Sequence, residues 1–293
     1  MIHLRFYLFF LSCLLSISLS SCHPRKGEGR MVSVSILPQK YLTERIAGDY
    51  VKVNVMIPAG MNPATCDLST GQLKKLYDSE VCFTIGYLPF EITHLYPILE
   101  QHPEIRMVNH SEHLQLVSGG CGGHSHEGHD HAEGVDPHIW LSPVYAQRMA
   151  NTICEVLSEK YPEREEVFRE HLKELTEEIN GIAAKASRVL KNKTRKTFLI
   201  YHPALTYFAA DYGLEQVSIE DEGKEPNPAH LKKIIDLARE KSIRIIFIQN
   251  QFDSNNAAAI AREIGGKIIP IDPLAENWTE EMNRMIDRLG EQL

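Results

Sequence analysis

The sequence has no long block of basic residues, because its 31 lysines and arginines are interspersed with 39 acidic residues. A nucleic-acid partner would favour a clustered positive face, so this charge pattern argues against one. The sequence also lacks an HExxH segment, the helical zinc-binding motif of many metalloproteases. Histidine, in contrast, is plentiful: there are 14, and four of them lie within one short stretch.

No apolar run is long enough to span a bilayer as a stable helix. The N-terminal run at residues 6–19 leads into the segment LSSC, which ends at Cys22. This resembles a bacterial lipobox, in which cleavage leaves the cysteine as a lipid-modified N-terminus; the alternative is an ordinary signal peptide cut nearby. Both interpretations export the protein. We therefore expect a signal peptide over residues 1–22 with lipidated Cys22, then a flexible tether over residues 23–30.

Cysteine is scarce in the rest of the chain, which contains Cys66, Cys82, Cys121 and Cys154. An oxidising compartment permits disulfides, but four cysteines allow three pairings and the sequence does not choose among them. Cys82 lies in an apolar strand pattern and Cys154 lies beside apolar residues. Both are therefore interpreted as small buried hydrophobic residues.

The length indicates two domains or one bilobal unit, and the ordinary share of hydrophobic residues, 43%, indicates a soluble globular protein. Strand and helix patterns alternate twice, which predicts an α/β fold of two similar lobes, each a parallel sheet flanked by helices. The lobes are assigned to residues 31–160 and 194–293. Strands are predicted at residues 31–37, 51–57, 81–85, 105–108, 197–201, 216–219, 243–248 and 267–271. Helices are predicted at residues 69–76, 92–100, 204–212, 228–241, 254–264 and 279–293.

Residues 161–193 are assigned to a helix that links the lobes. Apolar residues recur at spacings of three and four between Phe168 and Val189, which predicts one long helix over residues 163–191. Such a helix would be a stiff connection. The alternative is a pair of helices with a break at Gly181, because glycine costs about 1 kcal/mol within a helix.

Side chains that can bind metal follow strands of both predicted sheets. His202 comes after the strand at residues 197–201 and Asp272 after the last strand, while His138 precedes the final helix of the first lobe. Ligands of open α/β sheets bind beyond the carboxyl ends of the strands, so these groups are expected in a cleft between the lobes. Two imidazoles and a carboxylate suit zinc, and they also suit manganese. Taken singly, either histidine could instead be a core residue bonded to the backbone.

The sequence is similar to the zinc- and manganese-specific solute-binding proteins of bacterial ABC transporters over nearly all of residues 31–293. The strongest matching segments are DPHIWLSP at residues 136–143 and YHPALTYFAADYG at residues 201–213. Further matches lie at residues 60–63, 86–91, 225–226, 247–252 and 272–275. In that family the histidine of each strong segment and the aspartate before Pro-Leu bind the metal. The resemblance therefore implies that His138, His202 and Asp272 are the metal ligands.

Two positions depart from the family pattern. The family has a histidine directly after the proline of the loop that follows the second strand, where this chain has Ala64. Glutamate is usual where this chain has Gln249. The second change is expected to be tolerated, but the first removes a ligand. Water or a loop histidine is the preferred fourth donor, over Cys66, because a thiolate would bind zinc tightly and slow its release.

The segment CGGHSHEGHDH at residues 121–131 carries His124, His126, His129 and His131. Such a tract cannot build a core and is typical of a flexible accessory metal-binding loop, here assigned to residues 119–134; a solvated spacer is the alternative. Zinc-specific members of the resembling family often carry a loop of this kind, which favours Zn2+ over Mn2+. The remaining histidines are expected at the surface or at helix caps: His94, His102, His110, His113, His171 and His230.

Together these features predict a monomeric lipoprotein, periplasmic or on the cell surface and anchored to the membrane by its lipid. It is expected to capture Zn2+ and deliver it to the transmembrane permease subunit of an ABC-type uptake system, without catalysis. The alternatives are a manganese-binding homologue, a zinc-dependent hydrolase, and a surface adhesin lipoprotein in which the metal is structural.

Overall fold

The structure, a computed structural model, describes residues 29–117, 134–221, 224–252 and 254–293. It contains two four-stranded parallel sheets, each flanked by helices, and one long helix between them. This is the architecture that the sequence predicts. The signal peptide, Cys22, Cys121 and the loop histidines His124, His126, His129 and His131 lie outside the described residues.

The first lobe consists of β1 (Met31–Val34), α1 (Leu37–Ala47), β2 (Lys52–Val55), α2 (Thr70–Tyr77), β3 (Ser79–Thr84), α3 (Tyr96–Gln101), β4 (Arg106–Asn109) and α4 (Pro143–Lys160). The strand order is β2-β1-β3-β4, and all neighbouring strands are parallel. Ser69 caps α2 by accepting the backbone N–H of Gln72 at 3.3 Å, as its position in the sequence predicts.

The segment after β1 differs from the prediction. The alternating pattern predicts a strand as far as residue 37 and no helix before β2, but the strand ends at Val34 and α1 follows. The side-chain oxygen of Gln39 accepts the backbone N–H groups of Ser35 at 2.9 Å and Ile36 at 3.1 Å. Pro38 lies in the first turn, where a missing N–H costs nothing. These local contacts start a helix within a segment whose alternation of apolar and polar residues predicts a strand.

The second lobe consists of β5 (Thr197–Ile200), α6 (Thr206–Tyr212), β6 (Glu215–Ser218), α7 (Pro228–Glu240), β7 (Ile245–Gln249), α8 (Asn255–Ile264), β8 (Lys267–Ile271) and α9 (Trp278–Gln292). The strand order is β6-β5-β7-β8, again fully parallel. Gly213 and Gly265 end α6 and α8 in the left-handed conformation, with φ of 63° and 61°.

The linking helix α5 (Glu165–Leu190) is continuous, so the alternative of a break at Gly181 is wrong. One face of α5 is buried, with residues from Phe168 to Leu190 in the core that also contains residues of both lobes. This burial outweighs the cost of a glycine within the helix. In the part of the chain that the structure describes, no helix is both long and apolar enough to cross a membrane.

Cys82 and Cys154 are buried, which confirms their interpretation as small core residues. Cys66, Cys82 and Cys154 are all free thiols. The expectation that His110 lies at the surface or at a cap is wrong. Its imidazole is buried, stacks on Phe83 with ring centroids 5.3 Å apart, and has no hydrogen-bond partner among the described residues.

Candidate metal centre

Residues that follow the carboxyl ends of strands in both sheets line one cleft of about 650 Å³. The first lobe contributes residues 62–65 after β2 and residues 87–89 after β3. The second lobe contributes His202 after β5, Glu220 after β6 and Phe252 after β7. The cleft therefore lies where strand-end reasoning predicts a ligand site.

His138 and His202 both line this cleft, and their ring centroids are 5.1 Å apart with an interplanar angle of 68°. His138 directly precedes the short turn Ile139–Leu141 that leads into α4, and His202 lies just beyond β5. Two imidazoles that bind one tetrahedral zinc ion at about 2.0–2.1 Å have ring centroids about 5 Å apart. The observed spacing therefore fits two nitrogen donors for a single ion.

Asp136 fixes the ring of His138. Its Oδ1 atom lies 2.7 Å from Nδ1 of His138 and accepts the His138 backbone N–H at 2.8 Å. Burial alone would raise the pKa of Asp136, but the charge and hydrogen bonds of His138, with a further bond from Thr206, lower this pKa below its ordinary value. An ionised carboxylate accepts and does not donate, so Nδ1 carries the proton. Nε2 of His138 is left as the metal donor.

Three neighbours hold His202. Its Nδ1 lies 2.6 Å from Oε2 of Glu220, and its ring stacks on Phe252 with centroids 5.1 Å apart and an angle of 17°. The side-chain amide of Gln249 accepts the His202 backbone N–H at 3.3 Å and donates to the His202 carbonyl oxygen at 2.6 Å. An ionised glutamate at this position could only accept, whereas the amide complements both backbone groups. The geometry therefore accommodates Gln249.

Asp272, the third predicted ligand, does not join the two imidazoles. Its Oδ1 atom accepts the backbone N–H of Leu274 at 3.2 Å and the side-chain amide of Gln251 at 3.4 Å. Pro273 and Leu274 line the cleft, and within the described ranges the acidic residue that lines it is Glu220. Across the described ranges, no three histidine, cysteine, aspartate or glutamate side chains form a group able to hold a metal ion. The ligand role of Asp272 stays a prediction.

Ala64 lies on the cleft wall, where its methyl group offers no donor. Cys66 is buried and lines a separate groove beside Val55 and Met61. Its Sγ atom is 3.5 Å from the carbonyl oxygen of Asp67. Burial, with the nearby charge of Asp67, raises the pKa of the Cys66 thiol, which disfavours the thiolate that zinc would require. This placement supports the preference for a fourth donor other than Cys66.

The two carboxylates that contact the imidazoles, Asp136 and Glu220, have no role in the sequence-based prediction. Asp136 is two residues before His138 with a proline between them, a spacing that lets one carboxylate reach both the ring and the backbone. Glu220 directly follows the predicted strand at residues 216–219, and this position beyond a strand end, which it shares with His202, is a sequence signal for a cleft residue. Its pairing with a histidine 18 residues away depends on the parallel contact of β5 and β6.

The fold and the cleft together define a class of protein: a two-lobed α/β protein with a cleft lined by residues of both lobes. A model of the zinc-uptake complex component A family, described as periplasmic and abbreviated ZnuA, matches residues 32–292. The chain belongs to this family.

Several relatives carry names that concern zinc. The zinc-binding lipoprotein AdcA of Streptococcus pneumoniae is 28% identical over 281 residues, which cover 92% of this chain and 55% of AdcA. The high-affinity zinc uptake system protein ZnuA of Bacillus subtilis is 26% identical over 270 residues, which cover 88% of this chain and 83% of that protein. A crystal structure of ZnuA has a TM-score of 0.82 at 30% identity and covers 90% of this chain and 99% of its own. This chain spans about half the length of the AdcA relatives that it matches.

Proposed function

We propose that this chain is an extracytoplasmic protein that captures Zn2+ in the cleft and delivers it to the transmembrane permease of an ABC-type uptake system. The observation that carries the proposal is the pair of imidazoles, one from each lobe, with centroids 5.1 Å apart. Each ring holds a buried carboxylate at Nδ1, which leaves Nε2 for the metal. Membership of the zinc-uptake family supports both the cargo and the kind of partner.

Zinc is preferred over manganese as the cargo. Two imidazole nitrogens suit zinc, whereas carboxylate, carbonyl and water oxygens suit manganese. The histidine-rich segment at residues 121–131 supplies further imidazoles close in sequence to His138. Zinc in the names of the AdcA and ZnuA relatives supports the same choice.

The geometry favours a carrier over a zinc-dependent hydrolase. A hydrolytic site needs a base placed beside the metal-bound water. Among the described residues that line the cleft, the acidic one is Glu220, and it contacts Nδ1 of His202, on the ring edge away from Nε2. Its carboxylate is engaged in holding a ligand. We therefore propose a binding protein without catalysis.

The proposed location is outside the cytoplasm, with the chain acting as a monomer held at the membrane by acyl groups on Cys22. The apolar run at residues 6–19 and the LSSC segment support export and lipidation. The name of the pneumococcal relative, a zinc-binding lipoprotein, supports the same anchor.

Zinc uptake by the source bacterium tests the proposal. Deleting the gene should lower the uptake of radioactive zinc from zinc-limited medium and leave manganese uptake unchanged. The wild-type gene should restore zinc uptake, and a gene that encodes both His138→Ala and His202→Ala should not. Full restoration by the double variant would show that zinc delivery does not use the cleft.

The histidine-rich loop is proposed as a weaker accessory site. Deleting residues 119–134 should reduce the number of zinc ions bound per chain, because it removes four imidazoles, but one tight site should remain. Elemental analysis combined with calorimetric titration measures both quantities. Loss of the tight site together with the loop would identify the loop as the primary site and overturn this assignment.

A further inference from the structure

Glu220 lies just after β6 and lines the cleft, and its side chain is 7% exposed. Its Oε2 atom lies 2.6 Å from Nδ1 of His202. Burying a carboxylate is costly unless it gains a strong partner, and the imidazole N–H is that partner here. The hydrogen bond to His202 therefore offsets the cost of burying the Glu220 carboxylate in the cleft.

The position of the contact on the ring decides what Glu220 can do. The two imidazole nitrogens point to opposite edges of the ring, so a carboxylate bonded to Nδ1 is remote from an ion bound at Nε2. A neutral imidazole carries one proton, and the hydrogen bond made by one nitrogen determines which nitrogen carries it. Because the carboxylate of Glu220 accepts, it places the proton on Nδ1 and leaves the Nε2 lone pair free.

We propose that Glu220 is a positioning residue that selects the Nδ1–H form of His202 and so prepares Nε2 to bind the metal, an inference that rests on the proposed function. A carboxylate behind a metal-binding imidazole also makes that imidazole a stronger donor. Ala64 leaves the cleft without one nitrogen donor of the family pattern. The strength of the remaining imidazoles therefore contributes more to affinity in this chain.

The contacts of Phe252 and Gln249 with His202 do not determine which of the two ring nitrogens points into the cleft. Phe252 stacks on the ring at an angle of 17° and fixes its plane. Gln249 holds the backbone of His202 through two hydrogen bonds. Neither contact distinguishes the ring from its flipped form, because stacking is the same on both faces and the backbone contact does not touch the ring. Among the described residues, the hydrogen bond to Glu220 is the contact that distinguishes the two ring orientations.

Three variants of the full chain separate the contributions of Glu220. Glu220→Ala removes the acceptor, Glu220→Gln keeps an oxygen that can accept but removes the charge, and Glu225→Gln makes the same amide substitution at an exposed position of the following loop. Zinc affinity is measured by calorimetry in competition with a chelator. We expect Glu220→Ala to weaken zinc binding about 10–100-fold, Glu220→Gln to weaken it less, and Glu225→Gln to leave it unchanged.

The tautomer of His202 is read directly from the ring-nitrogen NMR signals of the metal-free protein. The wild type should show the Nδ1–H form, and Glu220→Ala should move part of the population to the Nε2–H form. A wild-type ring in the Nε2–H form, or a Glu220→Ala protein with wild-type zinc affinity, would overturn the proposal. The NMR experiment needs neither zinc nor a foldable alanine variant. If the wild type failed to bind zinc, the proposed function would fail while this measurement still decided the role of Glu220.

Discussion

Ala64 places a methyl group on the cleft wall, at the position where the sequence resemblance implies an imidazole. Its neighbour Asn62 accepts the Ala64 backbone N–H at 2.8 Å, which holds the loop in a turn at this point. The backbone position is therefore defined, and the missing element is the donor itself. A zinc ion held by the two imidazoles would complete its coordination with other groups, of which water is the simplest.

Ala64→His should tighten zinc binding about tenfold, roughly 1.4 kcal/mol, because it restores a nitrogen donor to the cleft. Chelator-competition calorimetry measures the change, and Cys66→Ser serves as a control that should not alter affinity. X-ray absorption of the zinc-loaded wild type should show only nitrogen and oxygen neighbours of the zinc ion, at about 2.0 Å. A sulfur neighbour at about 2.3 Å from the zinc ion would show that Cys66 replaces the missing histidine.

His110 predicts a specific pH dependence of stability. Burial lowers the pKa of this imidazole to about 3 in the folded chain, compared with about 6.5 in an unfolded one. Below about pH 6.5 the unfolded state binds a proton that the folded state excludes, so the free energy of unfolding falls as the pH falls toward 3. The contribution of His110 is at most about 1.4 kcal/mol per pH unit.

His110→Phe should remove this contribution and keep the stacking on Phe83. Urea unfolding at pH 7 and pH 5 should therefore show a smaller loss of stability in the variant than in the wild type. His113→Phe, at an exposed histidine, is the matched control and should behave as the wild type does. An equal loss of stability in His110→Phe and the wild type would mean that His110 is not buried in its neutral form.

At the scale of elements, the loop after β3 depends on Glu91. This carboxylate is fully buried and accepts the backbone N–H groups of Ile85 at 2.6 Å, Gly86 at 2.7 Å and Leu88 at 3.4 Å, with the hydroxyl of Ser35 as a fourth donor. Burial raises the pKa of Glu91, and these hydrogen bonds oppose that rise. The loop so held carries the cleft residues at positions 87–89.

Glu91→Ala should lower the free energy of unfolding by about 3 kcal/mol or more, because it leaves several buried N–H groups without an acceptor. Glu91→Gln retains one accepting oxygen and should cost less. Urea denaturation measures both values. Zinc binding should also weaken in Glu91→Ala, since the loop forms one wall of the cleft. If Glu91→Ala were as stable as the wild type, other groups would have to accept the hydrogen bonds of the loop N–H groups.

The periodicity of the sequence predicts most elements, because the central strands β1, β3, β5 and β7 and the linking helix bury apolar residues. It fails at α1, where the side chain of Gln39 and the position of Pro38 begin a helix inside an alternating pattern. The burial of His110, expected at the surface or at a cap because it lacks ligand spacing, depends on a tertiary contact: His110 follows β4 and stacks on Phe83 of β3. Strand-end reasoning and the family motifs predict His138 and His202, but the pairing of Glu220 with His202 is tertiary and has no local signal.

At the scale of the whole molecule, two buried tryptophans join the cleft segments of the two lobes. Nε1 of Trp140 donates to the carbonyl oxygen of Pro273 at 2.8 Å, and Nε1 of Trp278 donates to the carbonyl oxygen of Trp140 at 2.8 Å. The segment that carries His138 is thus bonded to the turn that follows Asp272. With α5 and a core shared by both lobes, these bonds restrict separation of the cleft walls.

If zinc binds between the two imidazoles, its affinity should depend on a residue from each lobe, His138 and His202. Chelator-competition calorimetry on the wild type, His138→Ala and His202→Ala tests this directly, with His102→Ala, outside the cleft, as the control. We expect one tight site in the wild type and in the control, and at least a tenfold loss of affinity, about 1.4 kcal/mol, in each cleft variant. Unchanged tight binding in both cleft variants would contradict the assignment of zinc to this cleft.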